Sequence, residues 1–451
     1  MRALLFIFLV LLAPIAAFAQ DWPAEMPAEL RQKLEPKITA IRAGHLIDPA
    51  TGTVADNQII VVRHDHKTGD SEILAVGPNV AIPEGAEVID LSGQYVLPGL
   101  VDSHDHLGIT YKKEPESDAY YFTTLMDSSP IRAIQAFSNG FQKLASGFTV
   151  VRDLGNAGNY ADTALRHAIE QGWVPGPTLI NSGIIIGAFG GQFHEVPEWE
   201  NTVYPEYLNA DTNDEIVKAI RRNIHYGAKV IKVCVDCQLY PYTVDQLKLF
   251  VSESANANMK VAGHVQTYEG ARRAIEAGLW SLEHDNALTD DLHKMMAEKG
   301  IYRAGTETPH TWYRGSERSF AATVDRMKNA YANGVKLTYS TDADYYVPGL
   351  TRGEITINFL ETWKAAGIPP NDILKAMTTT GYEVCELTDR GPIKVGNRGD
   401  VIAVAANPLA NIDALRDVRF VMKDGLVFKR DGVVTPMDFF HSGPEYGWRV
   451  R

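Results

Sequence analysis

His104 and His106 stand two residues apart in YVLPGLVDSHDHLG, 95–108, directly after the apolar run 96–101. Residues two apart on an extended strand leave the same face, so both imidazoles point one way. Two neutral imidazoles converging at the C-terminal end of a strand can grip one divalent metal. Spacing alone is weak support, because RHDHKTGD, 63–70, carries the same His-x-His. That copy runs into a charged Lys-Thr-Gly-Asp turn and reads as a solvated hairpin tip. Two more histidines follow, His264 in KVAGHVQ and His284 in SLEHD. A lone histidine at a strand end is more often a satisfied polar residue than a ligand. Four at C-terminal strand ends, all pointing at one rim, is not a chance pattern. The histidines at 45, 64, 66, 167, 225, 293, 310 and 441 have no such setting and are read as structural.

Lys232 in KVIKVCVD shares a strand face with Cys234 and Asp236, while Val233 and Val235 share the other. A lysine inside so apolar a strand is buried, which lowers its pKa. A neutral amine can take up carbon dioxide, giving a carbamate with one oxygen for each of two metals. By itself Lys232 reads better as a packed stem whose ammonium meets an acid; opposite four histidines the carbamate is preferred. Lys229 lies nearer the strand start, at the wrong end. Asp342 in LTYSTDADYY ends the last strand, where a carboxylate can ligate a metal and take a proton. Asp344 is placed on the following loop, and Asp153 in VVRDLG is expected to pair with Arg152 or cap a helix.

These residues need strands to carry them. The run 96–106 and the segments 148–155, 178–186, 229–236, 260–266, 281–285, 301–308 and 336–343 alternate with helical periodicity, as in DEIVKAIRRNIHYG and YEGARRAIEAG. Eight strands alternating with helices close most simply as an α/β (β/α)8 TIM barrel. A doubly wound open sheet is the runner-up, without the Gly-x-Gly-x-x-Gly turn it calls for. Long connections at 111–130, 187–214 and 309–319, rich in aromatic residues, Glu and Gly, belong at the substrate rim. Short β-rich runs at 39–96 and again after 393 suggest a small β-sandwich built from both chain ends. The expected division is signal peptide 1–19, sandwich 20–95, barrel 96–392, then sandwich and tail 393–451.

A chain of 451 residues, 45% hydrophobic and 22% charged, is an ordinary globular composition. Its net charge of -13 argues against nucleic acid or an anionic membrane as partner. MRALLFIFLVLLAPIAAFAQ has the plan of a secretory signal cleaved after Ala19, implying export to the periplasm or medium. Three cysteines make no disulfide scaffold. On a continuous strand Cys234 and Cys237 would lie about 10 Å apart, so buried free thiols are expected unless the strand breaks there. One Cys pair without a second is also poor support for a structural zinc.

Taken together, VLPGLVDSHDH, FTVVRDLG, GAKVIKV, AGHVQ with AGLWSLEHD, STDA and GPIKVGNRGDVIAV resemble the metal-dependent amidohydrolase superfamily, in the family's order and over nearly the whole mature chain. The resemblance is nearest to its Xaa-Pro-type dipeptidases, imidazolonepropionase-like proteins and ochratoxin-hydrolysing carboxypeptidases. It implies two divalent ions, zinc by preference, with His104 and His106 on one, His264 and His284 on the other. Carboxylated Lys232 bridges them and Asp342 is the acid/base. Those relatives often carry Gly-Gly-His-Gly after strand three, whereas this chain has GAFGGQFHE, which displaces His194.

The expected activity is hydrolysis of the amide bond of a dipeptide or N-acyl amino acid by metal-bound hydroxide. Tyr240 and His194 are candidates to hold the substrate carbonyl or carboxylate, chosen from loop position. Rivals are a ring hydrolase of cyclic amides or lactones, a mononuclear deaminase on the same barrel, and a non-catalytic binding protein, which would typically have lost ligands. A homo-oligomer is expected. The aromatic tail MDFFHSGPEYGWRVR could pack on a neighbouring subunit or on its own sandwich.

Overall fold

The computed structural model describes residues 35–110, 124, 127–155, 157–193, 206–284, 286–310 and 317–435. The signal segment, the tail, His194 and most of the three long rim connections lie outside these residues.

The apolar run 96–101 turns out to serve two modules. Strand Glu87–Pro98 belongs to one sheet and strand Leu100–Asp105 to another, with Gly99 between them. A Cβ at Gly99 would sit 2.0 Å from the Thr149 hydroxyl, so only glycine lets the chain cross there. The boundary between modules therefore falls at 99 rather than after 95.

The smaller module is one hydrogen-bonded sheet of eight strands, four from residues 37–98 and four from 401–434. Its seam is the antiparallel pairing of Val401–Val404 with Tyr95–Pro98. Alternate residues face its core: Ile41 and Ala43, Ile60 and Val62, Ile89 and Leu91, Val401 and Ala403, Phe420 and Met422, the period of two that strands impose. The tip at 65–70 is a turn, as expected, but His64 is buried at the strand end, with Nδ1 2.7 Å from the Asp424 carbonyl.

The larger module is an α/β barrel. Its strands are Leu100–Asp105, Phe148–Asp153, Thr178–Asn181 continued by Ile185–Gly187, Ile231–Cys234, Val261–His264, Ser281–Glu283, Tyr302–Ala304 and Lys336–Leu337. They pair in parallel within two sheets. Backbone bonds join these sheets at both seams: Lys229 N donates to Asn181 O at 2.7 Å, and Asp342 N to His104 O at 2.8 Å. The third strand is interrupted because the Asp162 carboxylate claims the Gly183 N–H, at 2.7 Å. Helices return the chain between strands, for example Asn213–His225 and Val244–Ala255. Each opens on a capping box, Thr212 with Glu215 and Thr243 with Gln246. Helix and strand faces share one continuous core running through Ile186, Ile231, Val233, Phe250, Leu282 and Trp363.

Candidate metal centre

The ends of strands one, four, five, six and eight bring the expected residues to one rim. His104 and His106 leave strand one side by side, their Nε2 atoms 3.3 Å apart. Asp342 Oδ1 lies 3.1 Å from His106 Nε2 and 3.8 Å from His104 Nε2. His284 Nδ1 is 3.8 Å from Asp342 Oδ2, and the His284 ring is 4.3 Å from that of His264, centroid to centroid. Both His284 and Asp342 have left-handed backbone, φ 69° and 52°, a conformation costing about 1–3 kcal/mol. That turn of the chain at the strand end is what swings each side chain inward.

The outer partners fix which ring nitrogen is free. His104 Nδ1 is 2.7 Å from Glu283 Oε2, and His106 Nδ1 is 2.8 Å from the Gly155 carbonyl. Both contacts require Nδ1–H as donor, so each Nε2 carries a lone pair toward the other and toward the Asp342 carboxylate. Such an arrangement calls for a positive charge at its middle. Burial opposes a charge on His106, but the hydrogen bond and charge of Asp342 raise its pKa to about 9. A cation would fill the place better. Two nitrogens on one tetrahedral zinc, each about 2.05 Å away, stand about 3.3 Å apart, the separation found here. Burial keeps the other imidazoles neutral and ligand-competent: His104 falls to about 4, helped by the Lys232 charge, and His284 to about 3. Burial, and then the neighbouring His284 ring, hold His264 well below its usual value.

Lys232 is buried, with its amine lowered to about 8 by desolvation against the opposing pull of Glu283 and Asp342. Lys229, its rival, is exposed. Burial would push the Asp342 carboxyl up, but the hydrogen bond and charge of His106 hold it well below the carboxylate range.

Several residues around the centre differ from expectation. Arg152 does not pair with Asp153, because neighbours on a strand face opposite ways. Arg152 Nη2 donates to Glu283 Oε1 at 2.8 Å and orients the carboxylate that holds His104. Asp153 accepts from the Leu107 and Gly155 N–H groups instead. Asp344 lies on the loop beyond the last strand, as expected, yet it is buried; burial and the neighbouring Asp342 raise it to about 8. Tyr240 is 56% exposed on the rim turn and is not brought into the centre. The strand carrying Lys232 ends at Cys234 rather than running on to 236. Cys234 and Cys237 then lie 5.6 Å apart at Cα with their sulfurs in contact, so the expectation of separate free thiols fails. Glu283, the Gly155 carbonyl and Thr306, whose Oγ1 is 2.9 Å from His284 Nδ1, were not singled out in the sequence. Only Glu283 left a signal there, as an acid beside a strand-end histidine.

A barrel whose ring of strand ends carries this donor set is the architecture of the amidohydrolases. A family model for the amidohydrolase family matches residues 95–427, and the chain belongs to that family. It is 28% identical over 449 residues to an ochratoxinase of Aspergillus niger, covering 88% of each chain. It is 38% identical over 422 residues to a dihydroorotase of Citrifermentans bemidjiense, covering 81% of this chain and 89% of that one. The crystal structure of a Xaa-Pro dipeptidase with methionine bound in its active site superposes with a TM-score of 0.73 at 27% identity, covering 87% of this chain and 100% of that one.

Proposed function

We propose that the chain is an exported hydrolase that uses two divalent cations, zinc by preference, to cleave the amide bond of a dipeptide or N-acyl amino acid. The observation that carries this reading is the pair of Nε2 lone pairs 3.3 Å apart beside the Asp342 carboxylate. His104 and His106 would hold one cation, His264 and His284 the other, with Asp342 on the first and carboxylated Lys232 between them.

When bound, the cations polarise the scissile carbonyl and make water acidic enough to attack it at neutral pH. Everything else falls to the chain's own groups. With a pKa of about 8, about a tenth of the Lys232 amine is neutral at pH 7. That fraction can bond to carbon dioxide with loss of one N–H proton. Glu283 and the Gly155 carbonyl hold the two Nδ1–H groups, so the rings of His104 and His106 cannot rotate away. Asp342 is ionised at neutral pH, can accept the proton of the attacking water, and can return it to the departing amine nitrogen. The ochratoxinase and Xaa-Pro dipeptidase relatives support a linear amide as substrate. Opening of a cyclic amide is the second reading, favoured by the dihydroorotase relative.

A panel of dipeptides and N-acyl amino acids, assayed for free amino acid with zinc and bicarbonate present, tests the assignment. Release from the linear amides is expected. Silence there, with cyclic amides or lactones turned over instead, transfers the assignment to ring hydrolysis.

A further inference from the structure

Cys234 and Cys237 gain a meaning from a residue that is distant in sequence. Cys234 lies directly across from His264 in the parallel pairing of strands four and five. The strand stops at Cys234, and Val235 N donates to His264 O while Tyr242 N donates to Val235 O, both at 3.0 Å. Gln238 closes the turn by donating from Nε2 to Gly191 O at 2.8 Å and to Phe193 O at 3.2 Å. These bonds, all outside the two cysteines, bring the sulfurs and a ring nitrogen of His264 within 4.8 Å of one another. A Cα separation of 5.6 Å suits a disulfide. Cys-x2-Cys is equally the spacing at which two thiolates bind one zinc.

We propose that the reduced protein carries a thiolate–imidazole site for a soft divalent cation, formed by Cys234, Cys237 and His264, and that a Cys234–Cys237 disulfide keeps His264 for the binuclear centre. The second half rests on the reading of His264 as a ligand of that centre. A dithiol reductant gives two electrons and two protons to the sulfur–sulfur bond and closes to its own cyclic disulfide. The two thiols then lose their protons to solvent as the cation binds. Two sulfurs and one nitrogen leave a fourth tetrahedral position open, a donor set that favours zinc or cadmium over calcium or magnesium. His264 cannot serve both sites, so a soft metal held by the thiolates draws a ligand from the catalytic rim.

The test uses metal-free full-length protein, as isolated or reduced with a dithiol that is then removed without air. Thiol counting under denaturing conditions should give one thiol before reduction, Cys385, and three after. Cadmium titration is followed by the ultraviolet sulfur-to-cadmium charge-transfer band. The reduced protein should develop the band and saturate at one equivalent, and the oxidised protein should show none. Cys237→Ser should weaken cadmium binding by more than about tenfold, since even loss of an outer-shell partner costs that much. A reduced protein with three thiols and no band overturns the site. So does an unchanged band in Cys234→Ser and Cys237→Ser, which would place it on Cys385. Three thiols before reduction overturns the protective disulfide. Failure of the amide-hydrolase reading appears separately, as oxidised protein that takes up no zinc and cleaves no amide.

Discussion

Replacing Glu283 by Gln should loosen the proposed centre without touching any ligand. The carboxylate accepts from His104 Nδ1 at 2.7 Å and, on its other oxygen, from Arg152 Nη2 at 2.8 Å and from the Ser281 hydroxyl. An amide has a single acceptor oxygen. If it faces Arg152, its NH2 confronts His104 Nδ1, and the ring must move its proton to Nε2, the atom turned toward the cation. If it faces His104, the NH2 confronts a buried guanidinium. Loss of such an outer partner costs about 10–100-fold in metal affinity, or about 1.4–2.8 kcal/mol. Competition against a chromogenic chelator measures this directly. Activity should fall at limiting zinc and recover at excess, and a denaturant melt of the zinc-free proteins separates any folding cost. Zinc affinity within about threefold of the parent, in a variant that folds normally, would refute the claim that Glu283 sets the His104 tautomer.

Asp342→Asn should retain metal, seen by elemental analysis, while kcat drops about 10²–10⁴-fold, the range for a lost acid/base; near-normal turnover removes Asp342 from the proton path. Lys143 is buried between Asp102 and Asp105, and Lys143→Met should cost about 3–5 kcal/mol by leaving Asp102 without its cation and Asp105 with Arg352 alone, read from the urea midpoint. His64 is held near 4 by burial against 6.5 when exposed. The unfolded chain therefore takes up the proton first as pH falls. His64 contributes its full share of stability, about 3 kcal/mol, above pH 6.5 and loses it as pH falls toward 4. His64→Gln should flatten that acid-side slope; an unchanged slope would assign it to other groups.

The strands and the six candidate ligands were legible because period-two alternation and a shared C-terminal rim are written in side chains. His104, His106, His264, His284 and Asp342 fall at the C-terminal ends of strand-like runs, and Lys232 sits inside one. What surrounds them was not, because it depends on backbone or on distant partners. The carbonyl of Gly155 has no side-chain signature, and the left-handed turns at His284 and Asp342 are not marked by glycine, the residue that usually announces them. Arg152 meets Glu283 across the barrel interior, a pairing no local pattern announces. The break at Gly99 was hidden inside a continuous apolar run, since both modules bury what they receive. Cys234 and Cys237 looked 10 Å apart only because the strand was expected to run on past the point where it stops.

The pairing of Val401–Val404 with Tyr95–Pro98 has a bearing on how the molecule assembles during synthesis. The segment that leads straight into His104 lacks its neighbour on one edge until residues 401–404 are made, after the whole barrel. A nascent chain must therefore hold an open strand edge while the whole barrel is translated, and such long-range closure is slow. Truncation ahead of residue 401 would deprive the rim of its footing from the far side of the molecule, leaving every proposed ligand in the sequence but strand one without its anchor.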